Sequence, residues 1–190
     1  MSNNNFKAAI TAVGKFLPEK RLTNSDLEKM VDTNDEWILS RTGISERRIV
    51  EKGQASSYMS VNAFKNLQKN YNIDPEDIDA IIVATVTPDM LFPSTACLIQ
   101  NEIGAKKAFG FDLSGACSGF LFALDTGTRF IESGKYKKVL VFGVDTMSSV
   151  VDYTDRNTCI LFGDGAGAVL LEPSKKYGII DCKLGIDGKG

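Results

Sequence analysis

Residues 78–85 read Ile-Asp-Ala-Ile-Ile-Val-Ala-Thr, a β-branched run that is apolar on both faces. A strand of that kind has no side to turn towards water, so helices must cover it from above and below. Residues 139–144, Val-Leu-Val-Phe-Gly-Val, repeat the pattern. Both runs have strand length and fall far short of the roughly 18 apolar residues that a membrane span requires.

The rest of the chain alternates around these two runs. Residues 8–13 form a short apolar strand before Gly14. Ser25 and Glu28 have capping-box spacing and open a short helix to about residue 31. Thr33 and Glu36 repeat that spacing ahead of a helical turn carrying Trp37 and Arg41, which Gly43 stops. Residues 57–70 place Val61, Phe64 and Leu67 on one helical face. Pro93 suits the first turn of a helix running to about residue 102. A strand at 108–113, a helix at 116–132 ended by Gly134, and a strand at 138–144 follow. After a polar loop at 145–157 come two apolar segments, 158–162 and 166–171, separated by Gly163-Asp164-Gly165, and then a further strand at 179–184. Strand, helix, strand, helix, strand predicts an α/β fold of helices layered on a largely parallel sheet.

The chain of 190 residues contains no histidine. That excludes a Ser-His or Cys-His couple drawn from these residues alone. Its four cysteines, Cys97, Cys117, Cys159 and Cys182, include no Cys-x-x-Cys pair, so neither a structural zinc site nor another metal or cofactor is expected. A net charge of -2 offers no basic face for a phosphate backbone, and no nucleic-acid partner is expected. The densest basic group, Lys135, Lys137 and Lys138, reads as a solvated turn. Residues 1–5 are polar and uncharged, without the apolar core of a signal peptide. The expected setting is the cytoplasm, with free thiols and no membrane segment.

Chemistry concentrates at residues 111–120, Phe-Asp-Leu-Ser-Gly-Ala-Cys-Ser-Gly-Phe. A buried strand ends, small residues make a tight turn, and an apolar helix begins with Cys117 near its first turn. The partial positive charge of a helix start favours thiolate over thiol. Gly115 and Gly119 leave room for a substrate or a backbone to approach. This is a workable nucleophile, although a small buried cysteine filling space has the same local sequence. The other three cysteines lack the turn-plus-helix context.

The segment around Cys117 resembles the nucleophile motif of the ketoacyl-acyl-carrier-protein synthase III family, which has the thiolase-like fold. Further matches occur in order along the chain. Residues 32–38, Asp-Thr-Asn-Asp-Glu-Trp-Ile, with Arg41-Thr42-Gly43-Ile44, resemble that family's coenzyme A adenine site. Residues 92–97, Phe-Pro-Ser-Thr-Ala-Cys, resemble its dimer-interface segment. Residues 155–158 and 162–168 resemble two more of its signatures. The glycines of 163–167 lack the Gly-Lys-Ser/Thr ending of a phosphate loop and read instead as a tight bend.

The resemblance implies an acyltransferase. Cys117 would take an acyl group from acetyl-CoA or another short acyl-CoA. Malonyl-acyl carrier protein would then lose carbon dioxide and attack the acyl-enzyme, giving a 3-ketoacyl carrier protein. The same resemblance puts Trp37 on the adenine of coenzyme A, with Thr33 beside it and Arg41 and Arg156 at its other face or its phosphates. Phe92 would cross a homodimer interface to line the partner's acyl pocket, and Phe162 would line the pocket of its own chain. The family's decarboxylating histidine and asparagine belong to a second half that repeats this fold, so residues 1–190 are expected to be the N-terminal half, ending in mid-structure and unable to complete the condensation alone. A polyketide-type or long-chain condensing enzyme, and a non-catalytic scaffold for dimerisation or carrier-protein docking, are the rival readings.

Overall fold

The computed structural model describes residues 6–189, so the polar start at 1–5 lies outside the described residues. Seven strands and five helices follow the alternation expected from the sequence. The main sheet has the order β1-β7-β6-β4-β5. Its strands are β1 (Lys7–Phe16), β4 (Ala80–Ala84), β5 (Phe109–Leu113), β6 (Val139–Thr146) and β7 (Asp164–Ser174). β4 pairs in parallel with both β5 and β6, while β7 runs antiparallel to β6 and β1.

Every residue of β4 is buried, and the reason is the layering its composition demanded. Ile81 and Val83 point into a core with Phe64 and Leu67 of α3 (Ser56–Asn70) and Ala96 and Ile99 of α4 (Thr95–Ile103). Ala80, Ile82 and Ala84 point the other way, to Ala123 and Ile131 of α5 (Gly119–Glu132). The chain therefore leaves β4 and β5 towards opposite faces of the sheet. That reversal opens a crevice at the carboxyl ends of the strands, where α/β sheets place their ligands.

A smaller arm holds the remaining elements. β2 (Arg21–Thr23) pairs antiparallel with β3 (Glu46–Arg48), and α1 (Asn24–Leu27) and α2 (Asp35–Thr42) lie between them. The arm packs on the segment after β6 through Leu27, Ile38, Cys159 and Ile160.

Several boundaries differ from the sequence reading. The capping box of α1 uses Thr23 and Asp26, not Ser25 and Glu28, because Thr23 ends a strand and already has extended backbone. Glu28 accepts from the Asp35 backbone instead, at 2.8 Å. Asn34, not Thr33, caps α2, and α4 starts at Thr95 with Ser94 as its cap, so Pro93 lies just before the helix and not in its first turn. Residues 158–162 form turns and 179–184 are irregular, with Ile179 donating to the Ala8 carbonyl at 2.8 Å. β1 is an edge strand whose one ladder partner is β7, and the single Ile179 bond does not extend into a second ladder among the described residues. Only one face of α5 is buried, and Leu121 remains 50% exposed.

The α1 cap gives a pH-dependent prediction. Hydrogen bonds from the Thr23 side chain and backbone, then the Lys29 ammonium, pull the Asp26 carboxyl from its ordinary 3.8 down to about 2. A carboxyl depressed in the folded state stabilises fully above its unfolded value, and that contribution disappears as pH falls through the folded one. Asp26→Asn should therefore lower the urea midpoint at pH 6, with the gap to the parent closing near pH 2. An equal gap at both pH values would show that the cap's charge contributes nothing.

Candidate active site

The nucleophile turn follows the carboxyl end of β5. Ala116 has φ 45°, the one non-glycine residue with positive φ in the chain's described part. Left-handed backbone costs an alanine about 1–2 kcal/mol, and such strain persists only where the surroundings fix it. The surroundings are close here: a Cβ on Gly115 would stand 2.8 Å from the Phe122 ring and 2.9 Å from Gly119 Cα. The chain thus reverses sharply through a single 3-10 turn, Ala116–Ser118, before α5 begins. Cys117 is left exposed on that turn.

Cys117 opens on a cavity of about 350 Å³ at the crevice predicted by the strand reversal. Its walls are Ala84 from β4, Gly143, Val144 and Asp145 from β6, and Ala116, Phe120, Met147, Gly163 and Gly165. Gly143 is small because the Phe120 ring needs the space, a Cβ there standing 3.1 Å from it. The sequence-level expectation of small residues around the thiol thus has a specific source in three separate strands.

Three carboxylates brace this end of the sheet, and none of their bonds was legible in the sequence. Asp112, on β5, accepts from the Thr95 and Ala96 amides at 2.7 and 2.8 Å, holding the start of α4; a carboxylate there also suits the helix dipole. Asp145 accepts from the Val86 amide at 2.8 Å and from the hydroxyls of Thr85 and Thr87 at 3.1 and 3.0 Å. Asp164 accepts from the Val50 amide at 2.9 Å and from the Ser148 amide and hydroxyl at 2.8 and 2.6 Å. Asp145 and Asp164 tie loops at the mouth to their strands, and Asp112 ties α4 to β5.

The predicted coenzyme-binding residues form a second cluster. The half-buried Trp37 ring has the Arg41 guanidinium 4.9 Å and the Arg156 guanidinium 4.3 Å from its centroid. Both contacts are cation–π stacks. Arg41 is one turn along α2 from Trp37, whereas Arg156 arrives from the loop after β6. The Thr33 hydroxyl is buried without a hydrogen-bond partner, just before α2.

The two phenylalanines are placed less tightly. Phe162 precedes Gly163 but is outside the walls of the Cys117 cavity, and it is 40% exposed. Phe92 is 87% exposed beside Leu91, itself 99% exposed. Leu91, with Met90, Phe111 and Leu113, borders a separate cavity of about 610 Å³. Among the described residues no cluster of three or more His, Cys, Asp or Glu is placed to hold a metal ion, and no helix is long and apolar enough to cross a membrane.

Comparison with known proteins decides the family. Residues 111–188 match the family described as 3-Oxoacyl-[acyl-carrier-protein (ACP)] synthase III. Two curated relatives, each named beta-ketoacyl-[acyl-carrier-protein] synthase III, are 56% identical over 187 residues in Koribacter versatilis and 59% identical over 184 residues in Chlorobium phaeovibrioides. The chain belongs to the 3-oxoacyl-[acyl-carrier-protein] synthase III family. These alignments cover 97% and 95% of this chain and 56% of each relative, so the chain spans a little over half the length of the family members it matches. The crystal structure of the synthase III from Aquifex aeolicus superposes with a TM-score of 0.86 at 52% identity, covering 89% of this chain and 55% of that one. The thiolase-like fold expected from the sequence is thus the fold of the synthase III family.

Proposed function

We propose that these residues carry the acyl-accepting stage of a beta-ketoacyl-acyl-carrier-protein synthase III, with Cys117 as nucleophile. The observation that carries this reading is the strained turn at Ala116, which presents Cys117 to a cavity walled by the carboxyl ends of β4 and β6. The Cys117 thiolate attacks the carbonyl carbon of acetyl-CoA. The tetrahedral oxyanion accepts a hydrogen bond from the Cys117 amide. Collapse expels coenzyme A as its thiolate and leaves an acetyl thioester on Cys117. The adenine rests on Trp37, with Thr33, Arg41 and Arg156 around it, since planar guanidinium groups suit both purine faces and phosphates.

In the second stage, malonyl-acyl carrier protein loses carbon dioxide and its carbanion attacks the acetyl thioester, forming 3-ketoacyl carrier protein and freeing Cys117. The 190 residues contain no histidine, so the histidine that the family resemblance implies for that stage is not among them. The protein works as a homodimer in the cytoplasm, with the bare Leu91 and Phe92 at the interface and Phe162 by the acyl chain.

Incubation with acetyl-CoA followed by intact-mass measurement tests the first stage. One acetyl group per chain is the expected result. A cooperatively folded chain that takes up none overturns the assignment of that stage to these residues.

A further inference from the structure

Arg47 lies at the centre of β3 and is only 3% exposed. It enters none of the ion pairs among the described residues. A buried guanidinium without a carboxylate is costly unless its donors are satisfied, and burial pulls Arg47 below the ordinary guanidinium range. Its donors reach two separate parts of the chain. Nε donates to the Ile160 carbonyl at 2.9 Å, and Nη2 donates to the same oxygen. Nη1 donates to Asn24 Oδ1. Asn24, 2% exposed, extends the connection: its Nδ2 donates to Asp35 Oδ1 at 2.7 Å and to the Ile44 carbonyl at 2.9 Å.

The two ends of this relay are functional segments. Asp35 opens α2, the helix of Trp37 and Arg41. Ile160 lies between Arg156 and Phe162. Gly163 closes on the same strand, where a Cβ would stand 3.0 Å from Arg47 Cβ. Apolar contact between Leu27, Ile38, Cys159 and Ile160 already holds the arm to this segment. That adhesion is non-directional, so it sets no register. A planar fork with diverging donors does, and a lysine ammonium at the same place could not reach both acceptors with the same geometry.

We infer that Arg47 is a positioning residue for the nucleotide end of the site, holding the Arg156 segment in register with the Trp37 helix so that indole and guanidinium present one platform. The inference rests on the reading of Trp37 as the adenine platform.

Trp37 is the chain's sole tryptophan, so its fluorescence reports the site directly. Coenzyme A is titrated against the parent, Arg47→Gln, Arg47→Lys and Asn24→Ala, each below its melting temperature. Quenching in the parent, about tenfold weaker affinity in Arg47→Gln, and partial recovery in Arg47→Lys are expected. The ligand-free emission of Arg47→Gln should also shift, because Arg156 leaves the ring. Asn24→Ala cuts the relay from the other side and should weaken binding similarly; it decides the matter if Arg47→Gln does not fold. Parent-like affinity in either folded variant overturns the inference, as does a loss confined to melting temperature. A parent that coenzyme A fails to quench overturns the adenine reading itself and the role of Arg47 with it, and the parent titration alone reveals that outcome.

Discussion

Changing Cys117 to serine should reduce acetyl uptake from acetyl-CoA by at least about a thousandfold, the scale on which nucleophile replacements act. Serine keeps the shape of the side chain but presents a neutral hydroxyl, with no histidine among these residues to activate it. The fold should be indifferent. Cys117 is exposed, so the substitution removes no buried contact, and an unchanged melting curve will separate lost chemistry from lost structure. Cys97 provides the matching control. It is also exposed, but it sits in the first turn of α4, where Ser94 caps the helix and donates to its sulfur at 3.2 Å. Cys97→Ser should acetylate like the parent. Equal labelling of the Cys117→Ser variant, mapped to Cys97, would mean non-specific transfer to any accessible thiol. No labelling of any variant or of the parent would favour the scaffold reading.

What the sequence revealed about this site, and what it concealed, follows from the range of the interactions concerned. β4 and α3 were legible because their signals are local: a doubly apolar run and a single apolar helical face. The Cys117 turn was legible for the same reason, as glycines and a thiol between a strand and a helix. Residues 158–162 misled because a short apolar run looks alike as strand or turn; Cys159 and Ile160 are buried against the arm, not in the sheet. The β2–β3 ribbon has three residues on each side and no periodicity to detect. Arg47, Asp112, Asp145 and Asp164 were invisible because their partners are distant. Arg47 bonds a carbonyl 113 residues away, and Asp164 bonds an amide 114 residues away. Nor does composition reveal that Ala116 carries positive φ, since alanine is among the residues that seldom adopt it.

Gly14→Ala should be the most damaging single-methyl change in the sheet, costing about 3 kcal/mol. Gly14 faces α3 from near the carboxyl end of β1. A Cβ there would stand 2.3 Å from the Ala63 carbonyl oxygen, 2.7 Å from Leu67 Cβ and 2.7 Å from the Leu67 amide nitrogen. All three are backbone or Cβ atoms, so no rotamer change can relieve the clash. The helix must move as a body, and Ala63, Phe64 and Leu67, each at most 1% exposed, move with it. A gap of even half an ångström to one ångström forfeits a quarter to a half of each dispersion contact along that seam. The strain reaches the upper end of the overpacking range. Against it stands only the gain from a stiffer unfolded chain, about 0.4–1 kcal/mol. Gly167→Ala separates these terms. Gly167 lies on β7 opposite Lys15 and Gly143, and a Cβ there meets nothing within 4 Å. That variant keeps the entropic gain without the clash and should unfold at or slightly above the parent's urea midpoint. If Gly14→Ala also unfolds within about 0.5 kcal/mol of the parent, α3 does not pack on β1 at the distance described, and the layer that supports the crevice is looser than the contacts imply.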